Sequence, residues 1–282
     1  MARYKIIIIF ILIASAFGVG IYYDFNRGLH DFQKTDIGSL VSEVGKEFFT
    51  PPPLNIGGSD NKIILLKIKV IAETNSQRVQ NGLYALTENS KLGQAASVKA
   101  NDMFKSQYFE HISPSGLNPG QLVQDHGYNY IIAGENLILG NFDSEKEMVQ
   151  SWMESPGHRA NILNTRYAEI GVAVIKGTYN GQTVWIAVQE FGLPLSSCAE
   201  PSLSLKDEVN SSTMQIDALS LQIDAKRSEI DNINPRTPYY KKLIDDYNQL
   251  VEDYNFLAEI TKNLVLKYNS QVNDFNQCVA GE

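Results

Sequence analysis

The chain has 282 residues, 43% of them hydrophobic, enough for one large core or two smaller ones. Its 32 acidic and 24 basic residues give a formal charge of −8, and no basic run longer than two follows the N-terminal stretch. Binding to nucleic acid relies on a basic surface that neutralises phosphates, so this balance argues against a nucleic-acid partner.

The sequence opens Met-Ala-Arg-Tyr-Lys and continues without a charge from Ile6 to Tyr23. That run has the length of a minimal membrane span, and Arg3 and Lys5 ahead of it place the remainder of the chain outside the cytoplasm. The expectation is a single-pass membrane anchor over residues 1–23. Cleavage of a signal segment near Ala14-Ser15-Ala16, giving a secreted protein, is the alternative. Both readings put the rest of the chain at an extracytoplasmic surface. Residues 24–61 then join an amphipathic segment (Ile37, Leu40, Val41, Val44, Phe48) to Thr50-Pro-Pro-Pro-Leu-Asn-Ile-Gly-Gly-Ser-Asp60. Proline and glycine at that density read as a linker.

A folded body is expected over residues 62–194. Helical spacing runs from Ile63 to Tyr108, broken at Asn81-Gly82-Leu83, with a second helix over Asn89–Lys105. Residues 111–143 read as loop-rich, with Ser-Pro-Ser-Gly and Asn-Pro-Gly turns and no strand assigned. Ser144 opens a further helix to Trp152, with Glu147 three residues on in the pattern of a capping box. Ala168–Ile175 and Thr183–Phe191 read as strands joined at Asn180-Gly181, a strong hairpin signal. Helices followed by an antiparallel hairpin give an α+β class.

Residues 195–282 change character. Val209, Ser212, Ile216, Leu219, Ile223, Lys226, Ile230 and Ile233 recur in steps of three and four. Leu243, Tyr247, Leu250, Tyr254, Leu257, Thr261, Leu264, Tyr268, Gln271 and Phe275 do the same. Two prolines in Asn234-Pro-Arg-Thr-Pro238 stop a continuous helix, so an antiparallel coiled-coil hairpin of about 45–55 Å is expected. Folding back at Arg236 sets Cys198, 38 residues before it, level with Cys278, 42 after it. In an exported chain that pair reads as a disulfide stapling the base of the hairpin. The seam serves packing within the hairpin first, and self-association or a protein partner second.

No Walker loop, G-x-S-x-G, H-E-x-x-H or G-x-G-x-x-G occurs, so histidines and carboxylates must carry any chemistry. His111-Ile-Ser-Pro-Ser-Gly116, Gly134-Glu-Asn136 and Trp152-Met-Glu-Ser-Pro-Gly-His-Arg-Ala-Asn-Ile-Leu163 occur in that order. Glu169-Ile-Gly-Val172 and Gln189-Glu-Phe-Gly192 come after them. Residues 66–193 thereby resemble the CAP superfamily (cysteine-rich secretory, antigen 5, pathogenesis-related 1; also SCP-like) in a cysteine-poor, prokaryotic form.

The resemblance implies a three-layer α-β-α sandwich and a cleft with two His and two Glu that holds a divalent metal in several members. Carried over by motif, His111, Glu135 and His158 would be the ligands, with zinc the ion best suited to imidazole and carboxylate donors. The second family glutamate lies three residues after the tryptophan, where this chain has Ser155. Glu154 beside it and Glu190 in the second strand are the candidates for a fourth ligand or supporting group.

Two functions stand as expectations. The first is an extracytoplasmic binding or interaction module with a lipid or peptide ligand in its cleft. The alternative is a metal-dependent hydrolase, a peptidase or cell-envelope-cleaving enzyme, with Glu135 as general base flanked by His111 and His158.

Overall fold

The computed structural model describes residues 46–59 and 62–281. The expected anchor over residues 1–23 and the amphipathic segment up to residue 45 lie outside the described residues. Among the described residues no helix is long and apolar enough to cross a membrane.

In chain order the elements are β1 (Glu47–Phe49), β2 (Leu54–Gly57), α1 (Lys67–Gln80), β3 (Thr87–Glu88), α2 (Ser90–Ser106) and α3 (Pro119–Asp125). Next come β4 (Tyr130–Gly140), α4 (Glu145–Glu154), α5 (Pro156–Ile162), β5 (Glu169–Tyr179), β6 (Gln182–Pro194), α6 (Leu203–Asp231) and α7 (Pro238–Ala280). Local chemistry sets several boundaries. Asn89 caps α2 by accepting from the Lys91 and Leu92 amides, and Ser144 caps α4 by accepting from the Glu147 amide. Glu147 reaches back to the Asp143 amide at 2.6 Å, one residue earlier than an ideal capping box. Asn180 and Gly181 both adopt positive φ (48° and 79°), which closes the β5–β6 hairpin in the hand that suits twisted strands.

The sheet runs β1-β4-β6-β5-β3, with β2 also on β4. Strands β4, β6 and β5 are antiparallel neighbours; β1 and β2 lie parallel to β4, and β3 lies parallel to β5. One face packs under α1, α4 and α5 through Val70, Ile71, Met148, Trp152 and Ile162. The other packs under α2 and α3 through Leu92, Ala96, Ala100, Met103 and Leu122. This is the α-β-α sandwich expected. Helix α2 lies very close to β5, since a Cβ on Gly171 would come 2.1 Å from the Gly93 nitrogen. Trp152 and Trp185 are core residues.

Two expectations fail. The segment read as loop-rich contains β4, the central strand, buried at all eleven positions. Helices cover both its faces, so no polar–apolar alternation marks it, and Gly134 and Glu135 interrupt its apolar run. The Pro/Gly linker also does not remain a linker. Residues on either side of Pro51-Pro-Pro53 pair with β4 as β1 and β2, which prolines permit at a sheet edge.

Helices α6 and α7, of 29 and 43 residues, form the coiled-coil hairpin. Ser212, Ile216, Ile223, Leu243, Tyr254, Thr261, Tyr268 and Phe275 of the predicted seam are buried. At about 65 Å, α7 outruns the expected length and brings its last turn back to the sandwich. There Cys198 and Cys278 form the disulfide, Cα atoms 5.8 Å apart. Cys198, Phe275 and Val279 pack on Ile131 of β4, so the hairpin is anchored to the central strand.

Closing an 80-residue loop, the disulfide is worth about 4–5 kcal/mol in the chain-entropy description. The expected result for the Cys198→Ser/Cys278→Ser variant is a loss of about 3–5 kcal/mol in denaturant unfolding monitored by far-ultraviolet dichroism. An unchanged midpoint would show that the apolar contacts at Ile131 suffice alone.

Candidate functional site

Glu135 lies in the middle of β4, directly opposite Glu190 of β6 in the antiparallel register. Neither is exposed to solvent. His111, in the loop after α2, aims Nδ1 at Glu135 Oε1 (2.6 Å) and Nε2 at the Pro51 carbonyl oxygen (2.6 Å). A carbonyl only accepts, so Nε2 carries a proton and donates; a single proton then lies between Nδ1 and Oε1. Lys99, on the inner face of α2 and 3% exposed, donates to the His111 carbonyl (2.5 Å) and reaches the Tyr108 hydroxyl (3.3 Å). Tyr108 in turn donates to Asp102 (2.7 Å).

The charges are arranged unequally. Burial first, then the neighbouring Glu135, pushes Glu190 well above the carboxylate range, with Lys99 pulling the other way. Glu190 therefore favours its protonated form. Burial pulls Lys99 down, opposed first by the charge of Glu135. His158 is 1% exposed. Burial, followed by the charge of His111, lowers it to about 4, opposed by the Leu137 backbone. The His158 ring is thus neutral at physiological pH.

His158 sits in the first turn of α5, its Nδ1 2.8 Å from Ser155 Oγ. Ser155, standing where the family pattern has glutamate, thus supports the histidine ring directly. Asn161, one turn further on, donates to the carbonyls of Glu135 (3.3 Å) and Phe49 (3.2 Å) and to Asn136 Oδ1 (3.0 Å). Asn136 continues to the His158 carbonyl and to Gln189, and Gln189 to Thr74. This satisfied network locks α5 and α1 to the two central strands from behind the site.

Of the residues expected at the site, His111 and Glu135 meet directly. Glu190 joins them as the second carboxyl. His158 lies close enough to sense the charge of His111 but makes no hydrogen bond to the other three. Glu154 does not belong: it is exposed and accepts from Gln150 Nε2 (3.0 Å), because it follows Met153 on the outer side of α4. Reading by pattern missed Lys99 and Asn161. A lysine among Ala95, Ala96, Ala100 and Met103 at helical spacing was the available signal for the first.

Two of the three expected metal donors, His111 and Glu135, are bonded to each other in this arrangement. Both ring nitrogens of His111 are engaged, one by the Pro51 carbonyl, and among the described residues no three His, Cys, Asp or Glu side chains are grouped to hold an ion. Glu135 Oε2, His158 Nε2 and both oxygens of Glu190 are buried without a well-aligned protein hydrogen bond, although the two carboxyls lie within reach of each other and the Leu137 backbone lies against His158.

Residues 71–191 match the CAP family, described as the cysteine-rich secretory protein family. An uncharacterized protein of Bacillus subtilis (strain 168), YkwD, is 39% identical over 108 residues, 38% of this chain and 42% of its own length. An uncharacterized membrane protein of the same organism, YlbC, is 29% identical over 111 residues, 39% of this chain and 32% of its own. The chain thus spans less than half the length of these curated relatives. Among solved structures, an extracellular protein containing a SCP domain from Bacillus anthracis str. Ames aligns at 27% identity over 44% of this chain and 39% of that one, with a TM-score of 0.38. An outer surface protein from Borrelia burgdorferi aligns at 21% identity over 45% and 91%, with a TM-score of 0.37.

The buried groups give a pH signature. Between pH 6.5 and about 4 the unfolded chain binds a proton that His158 refuses, so acidification costs up to about 1.4 kcal/mol per pH unit. Glu190 acts oppositely: folded it keeps a proton that the unfolded chain releases above about 4.5, so its contribution weakens as pH rises. Denaturant unfolding should show a shallower acid limb for His158→Phe. Glu190→Gln should gain stability relative to wild type, more at pH 8 than at pH 5. An equal effect of Glu190→Gln at both values would contradict its preference for the protonated form.

Proposed function

We propose that residues 71–191, which match the CAP family, form an exported binding module whose ligand is held by hydrogen bonds at the His111–Glu135–Glu190 cluster. The observation that carries this reading is the buried Glu135–Glu190 carboxyl pair with His111 and His158 beside it, whose hydrogen-bonding capacity is only partly used within the protein. Leaving a buried polar group unsatisfied costs roughly 1–3 kcal/mol. A fold that keeps such groups together, braced from behind by Asn136, Asn161 and Gln189, holds polar capacity in reserve for a ligand. Export is supported by the Cys198–Cys278 disulfide, which persists in oxidising compartments. Anchoring through residues 1–23 belongs to the same proposal, with the α6–α7 hairpin as a contact surface for a protein partner.

The hydrolase alternative asks Glu135 to act on water as general base. Glu135 Oε1 is already bound by His111, so a general base there would first have to give up that contact. That geometry favours binding over turnover. The test is release of product from a fluorogenic peptide pool and from purified peptidoglycan, with zinc chloride titrated into the full-length protein. No turnover above buffer is expected, with wild type and Glu135→Gln alike. Zinc-dependent turnover that disappears in Glu135→Gln would overturn the module reading.

A further inference from the structure

Residues 46–58 lie across the candidate site as a strap. β1 pairs with β4 from Glu47↔Ile132 to Phe49↔Gly134, and β2 resumes from Leu54↔Ile138 to Gly57↔Gly140. Between them, Pro51-Pro-Pro53 passes Glu135–Leu137 without pairing, because proline has no amide hydrogen to give to the β4 carbonyls. The gap falls where the site lies. There Asn161 donates to the Glu135 and Phe49 carbonyls, and His111 Nε2 donates to the Pro51 carbonyl.

The strap and its bed differ sharply in burial. Every residue of β4 is buried, whereas none from 46 to 59 is. The strap is held mainly through its backbone: ladder bonds to β4, the Gly57 carbonyl accepting from the Asn141 amide (2.7 Å), and the histidine contact. Its side-chain anchors are three: Glu47 paired with Arg166 (3.4 Å), Phe48 edge-on to Tyr130 (centroids 5.9 Å apart) and Leu54 packed against the main core. Beside it an open groove of about 630 Å³, lined by Phe48, Thr50, Glu110, His111, Asn118 and Tyr130, reaches the same histidine. A site that recognises backbone, one carbonyl and one aromatic side chain accepts any extended segment offering the same three features.

We propose that residues 46–58 are a displaceable strap, and that the bed beneath them binds an extended, proline-centred peptide segment of a partner protein. The incoming backbone lies parallel to β4, one carbonyl accepts from His111 Nε2, and an aromatic residue N-terminal to the prolines takes the place of Phe48. The inference rests on the binding-module reading and names that module's ligand class. The strap is then an internal competitor that sets the affinity for the partner.

The experiment uses the full chain with a protease recognition sequence inserted between Ser59 and Asp60. After cutting, the N-terminal piece is separated under native conditions through a terminal tag. A fluorescein-labelled peptide of residues 46–58 is then titrated by anisotropy. The expected result is at least tenfold tighter binding to cut than to uncut protein, no binding of a scrambled peptide, and about tenfold weakening by His111→Ala. A second variant covers the case in which the cut chain loses its fold. Phe48→Ala in the intact protein removes the strap's aromatic anchor on Tyr130, leaves the bed unchanged, and should tighten binding of the native peptide at least fivefold. The inference is overturned if the N-terminal piece cannot be separated from folded protein. It is equally overturned if scrambled and native peptides bind alike, or if neither cutting nor Phe48→Ala raises affinity. Those outcomes leave the module reading standing, which falls only on zinc-dependent turnover.

Discussion

Glu135 and Glu190 face each other across the two central strands with no solvent on either, and two negative charges cannot be kept there. The surrounding side chains resolve the conflict one by one. Glu190 favours its protonated form, Lys99 supplies a buried positive charge from α2, and His111 shares a proton with Glu135. His158 remains neutral, so the opposite wall adds no further charge. The Asn136–Asn161–Gln189–Thr74 network behind the strands fixes their spacing. What results is a nearly balanced polar pocket inside an otherwise apolar sandwich. Hydrogen-bonding capacity in such a place is retained at a cost to stability, which is the usual mark of a functional site.

Strand β4 carries the whole arrangement. It holds Glu135 at its middle, receives the strap along its outer edge, and takes the hairpin base at Ile131 through Cys198, Phe275 and Val279. An uncovered strand of this length and apolarity would invite pairing with another chain, so the strap also protects an edge. Protection and recognition use the same backbone groups. The prolines that interrupt the ladder make the cover incomplete where His111 lies beneath it.

Elements with local chemistry were legible in the sequence: the Asn89 and Ser144 caps, the Asn180-Gly181 turn, the coiled-coil seam and the cysteine pairing. These depend on neighbours within a few residues or on a repeat. Strand β4 was not legible, because burial on both faces erases the alternation that marks a strand. β1 and β2 were hidden by the prolines between them, which read as linker until an edge exists to receive them. At the site, His111, Glu135 and His158 came from the family resemblance and not from spacing. Glu190 was one of two rival carboxyls, and only the β4–β6 register chooses it over Glu154. Lys99 and Asn161 depend on long-range packing that no local pattern announces.

The contact on which the strapped site depends most is the hydrogen bond from His111 Nε2 to the Pro51 carbonyl. Nuclear Overhauser and long-range proton–nitrogen spectra of histidine-labelled full-length protein report on it directly. The strapped arrangement requires a slowly exchanging His111 Nε2 proton with cross-peaks to Pro51 and Pro52. A His111 ring whose Nε2 proton exchanges freely with water and shows no cross-peak to the strap would contradict it.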